Sequence, residues 1–203
     1  MIVKQLLQKH RILISRIFVI AIITLILFSN NLWEKLPIAA NIYFLIGIFL
    51  IGIATVGRLW CLLYISGYKT NTLITMGPYS MSRNPLYFFS LLGAIGVALT
   101  SEILSVAILT IIAFAIYYPN VIEAEENTLR KVHGENFETY CKNVPKFFPS
   151  FFLLKEPDEY VVKPIIFKQG IFDALWFIWI VGFLEIIKLL HHLNIMPMYF
   201  SIY

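Results

Sequence analysis

Long uninterrupted runs of apolar residues dominate this chain, and short polar stretches separate them. Residues 36–57 and 103–122 contain no Asp, Glu, Lys or Arg, and a helix needs roughly 20 apolar residues to cross the hydrocarbon core of a bilayer. Residues 13–32 form a third such run once Arg16, near one end, extends its guanidinium to the headgroups. Residues 86–101 are shorter and fit one tilted half of a hairpin with 103–122, turning at Ser101 and Glu102. In the last candidate, residues 165–190, only 174–184 lack charge, so it crosses with polar ends or lies in the interface; crossing is the expectation. The pattern predicts an all-α integral membrane protein of about five transmembrane helices.

Two polar stretches, residues 77–87 and 123–149, bracket the predicted hairpin. Folding the hairpin brings both of its open ends to one place, where an arginine and paired glutamates then form a charged pocket at the membrane surface. The first stretch carries Gly77-Pro78 as a turn signal and Asn84-Pro85 as a helix start, with asparagine suited to the cap and proline to the first helical position. A helix beginning at Pro85 offers unpaired backbone donors and a partial positive charge, and Arg83 adds a fork of donors beside it, so this end suits a carboxylate-bearing ligand.

The second stretch continues as a helix from Pro119 through Val132. Glu123, Glu126 and Arg130 recur along one face and Ile122, Glu125, Leu129 and Val132 along another. Glu126 and Arg130 read as an ordinary exposed i,i+4 pair. Glu125, beside Leu129, is a carboxylate against an apolar wall that asks for a cationic or hydrogen-bonding partner. His133-Gly134 reads as a helix end, and Gly93 and Gly96 as small residues for close helix packing.

Composition reinforces the class: 59% hydrophobic and 14% charged residues lie far from the balance of a soluble domain. The net charge of +4 is spread over membrane-flanking loops, which points to anionic headgroups and topology rather than to nucleic acid. Basic residues within 4–16, 58–83 and 130–168 belong on one side if successive spans alternate, and the positive-inside rule makes that side cytoplasmic, together with both polar motifs. The N-terminal apolar run lacks a small-x-small cleavage signal and is expected to stay as a membrane helix. Cys61 and Cys141 are not expected to pair in a reducing compartment, and no cysteine and histidine spacing suits a metal. One membrane domain is expected over 1–203, with N-terminal helices in 1–66, a core in 67–151, and a C-terminal helix and tail in 152–203.

The ordered pieces Gly77-Pro78-Tyr79, Arg83-Asn84-Pro85-Leu86-Tyr87, Glu125-Glu126-Asn127-Thr128-Leu129, Gly134 with Phe137 and Tyr140, and Val144-Pro145-Lys146 together resemble the isoprenylcysteine carboxyl methyltransferase family and the related phospholipid methyltransferases. The resemblance covers residues 67–151. Asn84 stands where that family usually has histidine, Phe89 where glycine is common, and Phe137 where tyrosine is usual. The resemblance implies methyl transfer from S-adenosylmethionine to a lipophilic or membrane-associated acceptor: a carboxylate, thiol or amine. It implies Arg83 and Glu126 as catalytic residues, with Glu126 the base if the acceptor is an amine. It also implies a cofactor pocket of Tyr79, Asn84, Pro85, Tyr87, Glu125 and Tyr140. The implied partners are a membrane and a lipid or lipophilic small molecule, with no nucleic acid and no metal. Two alternatives stay open. Tyr140-Cys141-Lys142-Asn143-Val144-Pro145 is similar to the ending of NADPH-dependent membrane sterol reductases, and the replacement at Asn84 is compatible with a non-catalytic membrane scaffold.

Overall fold

A computed structural model describes residues 24, 26–27, 29–31, 37–66, 68, 72–193, 195 and 200–202. Among these the regular elements are helices apart from a two-stranded parallel ribbon, in which β1 (Ser29–Asn31) pairs with β2 (Phe200–Ile202). The helices are α1 (Pro37–Ile65), α2 (Pro78–Met81), α3 (Pro85–Thr100), α4 (Leu104–His133), α5 (Glu135–Asn143) and α6 (Pro164–His192), with a 3₁₀ turn at Phe151–Leu153. Three of them, Ile38–Ile65 within α1, α4 and α6, are long and apolar enough to cross a membrane; α3 is apolar but shorter. A helix satisfies its own backbone donors and acceptors, which is what lipid demands. The expected span at residues 13–32 lies almost wholly outside the described residues, so the described helices that reach spanning length number three rather than five.

Where helices begin and end follows local chemistry. Proline opens α1, α2, α3 and α6, as its fixed φ and missing N–H favour. α1 runs past Gly57, where its uncharged stretch ends, to Ile65. Arg58 does not stop it, because its guanidinium donates to Ser90 Oγ and lies over the Phe177 ring, 5.7 Å from the centroid. Pro119 sits inside α4 without ending it; one proline removes a single backbone hydrogen bond, and the helix carries straight on from its apolar half into the charged segment. α4 stops at His133, where Gly134 takes φ +53°, a value open to glycine at little cost.

The chain packs as two compact units. The described part of the first draws on residues 1–49, 95–121 and 178–203. Its core gathers Ala98, Ile103, Val106 and Ala107 around the α3–α4 turn, with Ile26 and Leu99 against them. Ser101 Oγ donates to the Ala98 carbonyl at 2.6 Å, and Glu102 adopts φ +60°. A small residue permits close helix packing here: a Cβ on Gly47 would lie 2.7 Å from the Gly96 carbonyl oxygen. Lys188 ties the turn to α6 by donating to Glu102 at 2.6 Å, and it also pairs with Glu185 at 2.9 Å.

The second unit, residues 50–94 and 122–177, contains the polar motifs. Its organising feature is a strap in which residues 77–84 run antiparallel to 145–155. Gly77 N–H donates to the Lys155 carbonyl (2.7 Å), Ser150 N–H to Met81 (3.0 Å) and Arg83 N–H to Pro145 (2.9 Å). Gly77 is required where the strap starts: its φ is +58°, and the Tyr64 ring occupies the space a Cβ would need.

Candidate functional site

The strap delivers Arg83 and Asn84 to the charged end of α4. Asn84 caps α3 through its backbone, its carbonyl accepting from Phe88 N–H at 3.3 Å, but its side chain does something else. The amide nitrogen donates to Glu126 Oε1 at 3.0 Å and to the Lys146 carbonyl at 2.9 Å. Both partners are pure acceptors, so the nitrogen must face them and both of its hydrogens are committed. Asn84 and Glu126 are each only 7% exposed. Ser82 braces the arrangement: its hydroxyl donates to the Phe147 carbonyl at 2.9 Å and accepts from Asn84 N–H at 3.2 Å.

Glu126 therefore sits buried among donors. Arg83 Nε lies 3.5 Å from Oε1, and Lys146 Nζ 3.9 Å from Oε2. Burying a carboxylate is costly unless it is paired and hydrogen-bonded, and these contacts meet that condition. The i,i+4 pair with Arg130 is not formed. Arg130 instead bonds Glu138 at 2.5 Å and Asn127 at 2.8 Å on the exposed side. On this part of α4 the buried residues are Ile122 and Glu126, four apart, while Glu125 and Leu129 are half-buried, so grouping Ile122 with Glu125 had missed which glutamate turns inward.

Arg83 has charge left to use. Its Nε is buried with no hydrogen bond, and among the described residues its ion-pair partner is Glu126. A guanidinium in this state fits a bidentate anion such as a carboxylate.

Glu125 finds the hydrogen-bonding partner that its surroundings asked for: Tyr87 hydroxyl donates to its Oε2 at 2.8 Å. Tyr140 hydroxyl donates to the Tyr79 backbone carbonyl at 2.6 Å, pinning α5 to α2, with Phe137 fully buried beside it. Burial pushes the Tyr79 phenol well above its ordinary range, and the nearby Tyr140, Glu125 and Tyr87 add to the rise. Burial likewise raises Tyr140, while the Arg83 cation acts in the opposite direction. Pro85 is fully buried at the first position of α3.

All the expected site residues thus lie in one unit, and all but Pro85 fall in three contacts: Arg83–Asn84–Glu126, Tyr87–Glu125 and Tyr79–Tyr140. Two contributors were not singled out from the sequence. Lys146 was visible only as the basic residue ending Val144-Pro145-Lys146, and Ser82 carried no signal beyond lying in the first polar stretch. Among the described residues no group of three or more His, Cys, Asp or Glu could hold a metal ion.

The family model described as phospholipid methyltransferase matches residues 38–136, a range that holds every site residue named above except Tyr140 and Lys146. The chain is 37% identical over 190 residues to the cobalt-zinc-cadmium resistance protein CzcN of Cupriavidus metallidurans, covering 94% of this chain and 87% of that protein. The chain belongs to the phospholipid methyltransferase family. A second relative, the nickel-cobalt-cadmium resistance protein NccN of Alcaligenes xylosoxydans xylosoxydans, is 35% identical over 191 residues, covering 94% of this chain and 89% of its own length. No solved structure matches. As a phospholipid methyltransferase family member with helices able to span a membrane, the chain is read as a membrane protein of a methyltransferase family.

Proposed function

We propose that this protein transfers a methyl group from S-adenosylmethionine to a lipophilic acceptor at the cytoplasmic surface of the membrane. The observation that carries the reading is the buried Glu126 holding Arg83 at the start of α3, with the Arg83 Nε still without a hydrogen bond. The residues present fit the cofactor: an under-committed guanidinium beside a helix N-terminus suits its carboxylate, and Glu125 suits its ammonium or ribose hydroxyls. When bound, S-adenosylmethionine supplies a methyl carbon already activated by the adjacent sulfonium.

The protein's share is alignment and exclusion of water rather than a nucleophile. Arg83 holds the carboxylate end, and Asn84 holds Glu126 so that Arg83 stays in place. Glu125, oriented by Tyr87, takes the polar groups of the nucleoside, and Tyr79 and Tyr140 wall the pocket with Pro85. Oε1 of Glu126 is committed to Asn84 and Arg83. Oε2, whose partner Lys146 is 3.9 Å away and 48% exposed in its side chain, is the oxygen left to take a proton from an amine acceptor; a carboxylate or thiolate acceptor needs no base. The names of the relatives suggest that the reaction serves tolerance of metal ions.

Isothermal titration of detergent-purified protein with S-adenosylhomocysteine, run beside NADPH, tests the reading. Heat of binding from the nucleoside, lost in Arg83→Ala and Glu125→Gln, is the expected result. Binding of NADPH alone means a reductase, and silence from both means a scaffold. Failure of Glu126→Ala to restore growth on cadmium or cobalt, where the unaltered gene restores it, is the outcome expected for the metal-tolerance setting.

A further inference from the structure

Residues 147–154 read Phe-Phe-Pro-Ser-Phe-Phe-Leu-Leu, and the fold leaves much of this segment uncovered. Phe148 and Phe151 are each 73% exposed, and Phe152 is completely exposed. A continuous apolar patch of this kind marks a docking surface. We propose that its partner is the bilayer itself: the segment is a foot inserted into the headgroup and upper acyl region, beside the candidate site.

Four observations support that depth. Hydrogen bonds tie the foot to the residues just before α3: Ser82 Oγ donates to the Phe147 carbonyl at 2.9 Å, and Ser150 N–H to the Met81 carbonyl at 3.0 Å. α3 turns apolar from Pro85 onward, so the foot stands level with the beginning of an apolar helix. Phe88, in the first turn of α3, meets Phe147 and Phe148 edge-on with centroids 5.9 and 6.3 Å apart, so the aromatic surface is continuous with that helix. Exposed Lys142 and Lys146 precede the foot and exposed Lys155 follows it; ammonium groups flanking aromatic rings match anionic headgroups above acyl chains. A second copy of this chain, presenting the same lysines, would bring like charges together.

The foot also bears on chemistry, a consequence that rests on the methyl-transfer reading. The carbonyl of Lys146 holds Asn84, and its ammonium faces Glu126. Immersing residues 147–154 therefore sets the Glu126 cluster at headgroup level, where an acceptor reaches it sideways from the leaflet rather than from bulk water.

The test is site-directed spin labelling in nanodiscs of equal parts phosphatidylcholine and phosphatidylglycerol. Phe152→Cys carries a nitroxide in a Cys141→Ser background, the buried Cys61 being left in place, and Phe151→Cys serves as a second variant should the first fail to fold. The ratio of oxygen to nickel-chelate accessibility is expected to be several-fold higher than at Lys142→Cys. A ratio equal to that at Lys142→Cys overturns the proposal, as does dipolar broadening that reports a second copy on the foot. The readout requires no turnover and no nucleoside, so it stands or falls separately from the titration with S-adenosylhomocysteine.

Discussion

Glu102, in the turn before α4, and Glu126, towards that helix's C-terminal end, are both carboxylates paired with lysine, and their surroundings set them apart. At Glu102 the lysine donates directly at 2.6 Å and a second carboxylate, Glu185, completes the neutralisation of Lys188, all three groups being partly exposed. At Glu126 the carboxylate is buried, its tightest bond is to a neutral amide, and its two cations stand off at 3.5 and 3.9 Å. The first cluster is closed and serves as a tie between a turn and a helix. The second keeps cationic donor capacity in reserve at a polar site within a methyltransferase family region. On the methyl-transfer reading proposed above, the Arg83 Nε left without a hydrogen bond is the donor that an anionic ligand would take.

The sharpest way to break this comparison is to remove the carboxylates in turn. Glu126→Ala leaves Arg83 without its partner and two donors of Asn84 short of one acceptor, and is expected to cost about 3–5 kcal/mol, read as a shift in the denaturant midpoint in detergent. Glu126→Gln, which keeps an acceptor for Asn84, should recover part of that loss. An effect of Glu126→Ala no larger than that of an exposed pair would place Glu126 with Glu102.

Next in size is Gly77→Ala at the head of the strap, where a positive φ and the Tyr64 ring both oppose a side chain. It is expected to cost roughly 1–3 kcal/mol, and to weaken S-adenosylhomocysteine binding as well because the strap positions Arg83 and Asn84.

Alkaline titration sharpens the comparison further. The Tyr79 and Tyr140 phenols are raised above the ordinary value of 10.0, first of all by burial. Between pH 10 and their folded values the native state keeps protons that the unfolded state has released, so stability falls as pH rises. Their contribution is complete below pH 10 and is lost above it. Tyr140→Phe removes one of these groups and should flatten the alkaline limb of a pH–stability profile. An unchanged limb would mean that the Tyr140 phenol is not desolvated.

Glu102→Gln is expected to be the mildest change, under about 1 kcal/mol, with S-adenosylhomocysteine affinity unchanged. A loss of affinity there would show that the closed cluster also serves the site.

Much of the fold was legible because lipid restricts the choices: a long apolar run in this setting has to be a helix. The start of α3 at Pro85 and the end of α4 at His133 follow from proline and from Gly134, whose backbone preferences are distinctive, and the turn at Ser101 and Glu102 from a polar break between two apolar runs. The extension of α1 beyond Gly57 was not legible, because an arginine at the end of an apolar run reads as a boundary until its partners, Ser90 and Phe177, are known. In the candidate site the residue types and their order were visible, as was the need of Glu125 for a partner. The partner of Glu126 was not. A helical period groups residues to within about one position, and a charged residue next to another at i+4 is by default an exposed pair.

The sequence by itself therefore determined the membrane class, the helical hairpin and the polar residues gathered at its open end, since these depend on hydrophobicity and local backbone preference. Tertiary structure alone decided which of two adjacent glutamates is buried, that Asn84 spends its amide on Glu126, and that Lys146 joins them. Those outcomes depend on the antiparallel strap between residues 77–84 and 145–155, whose two sides lie more than sixty residues apart in the chain, beyond the reach of any local pattern.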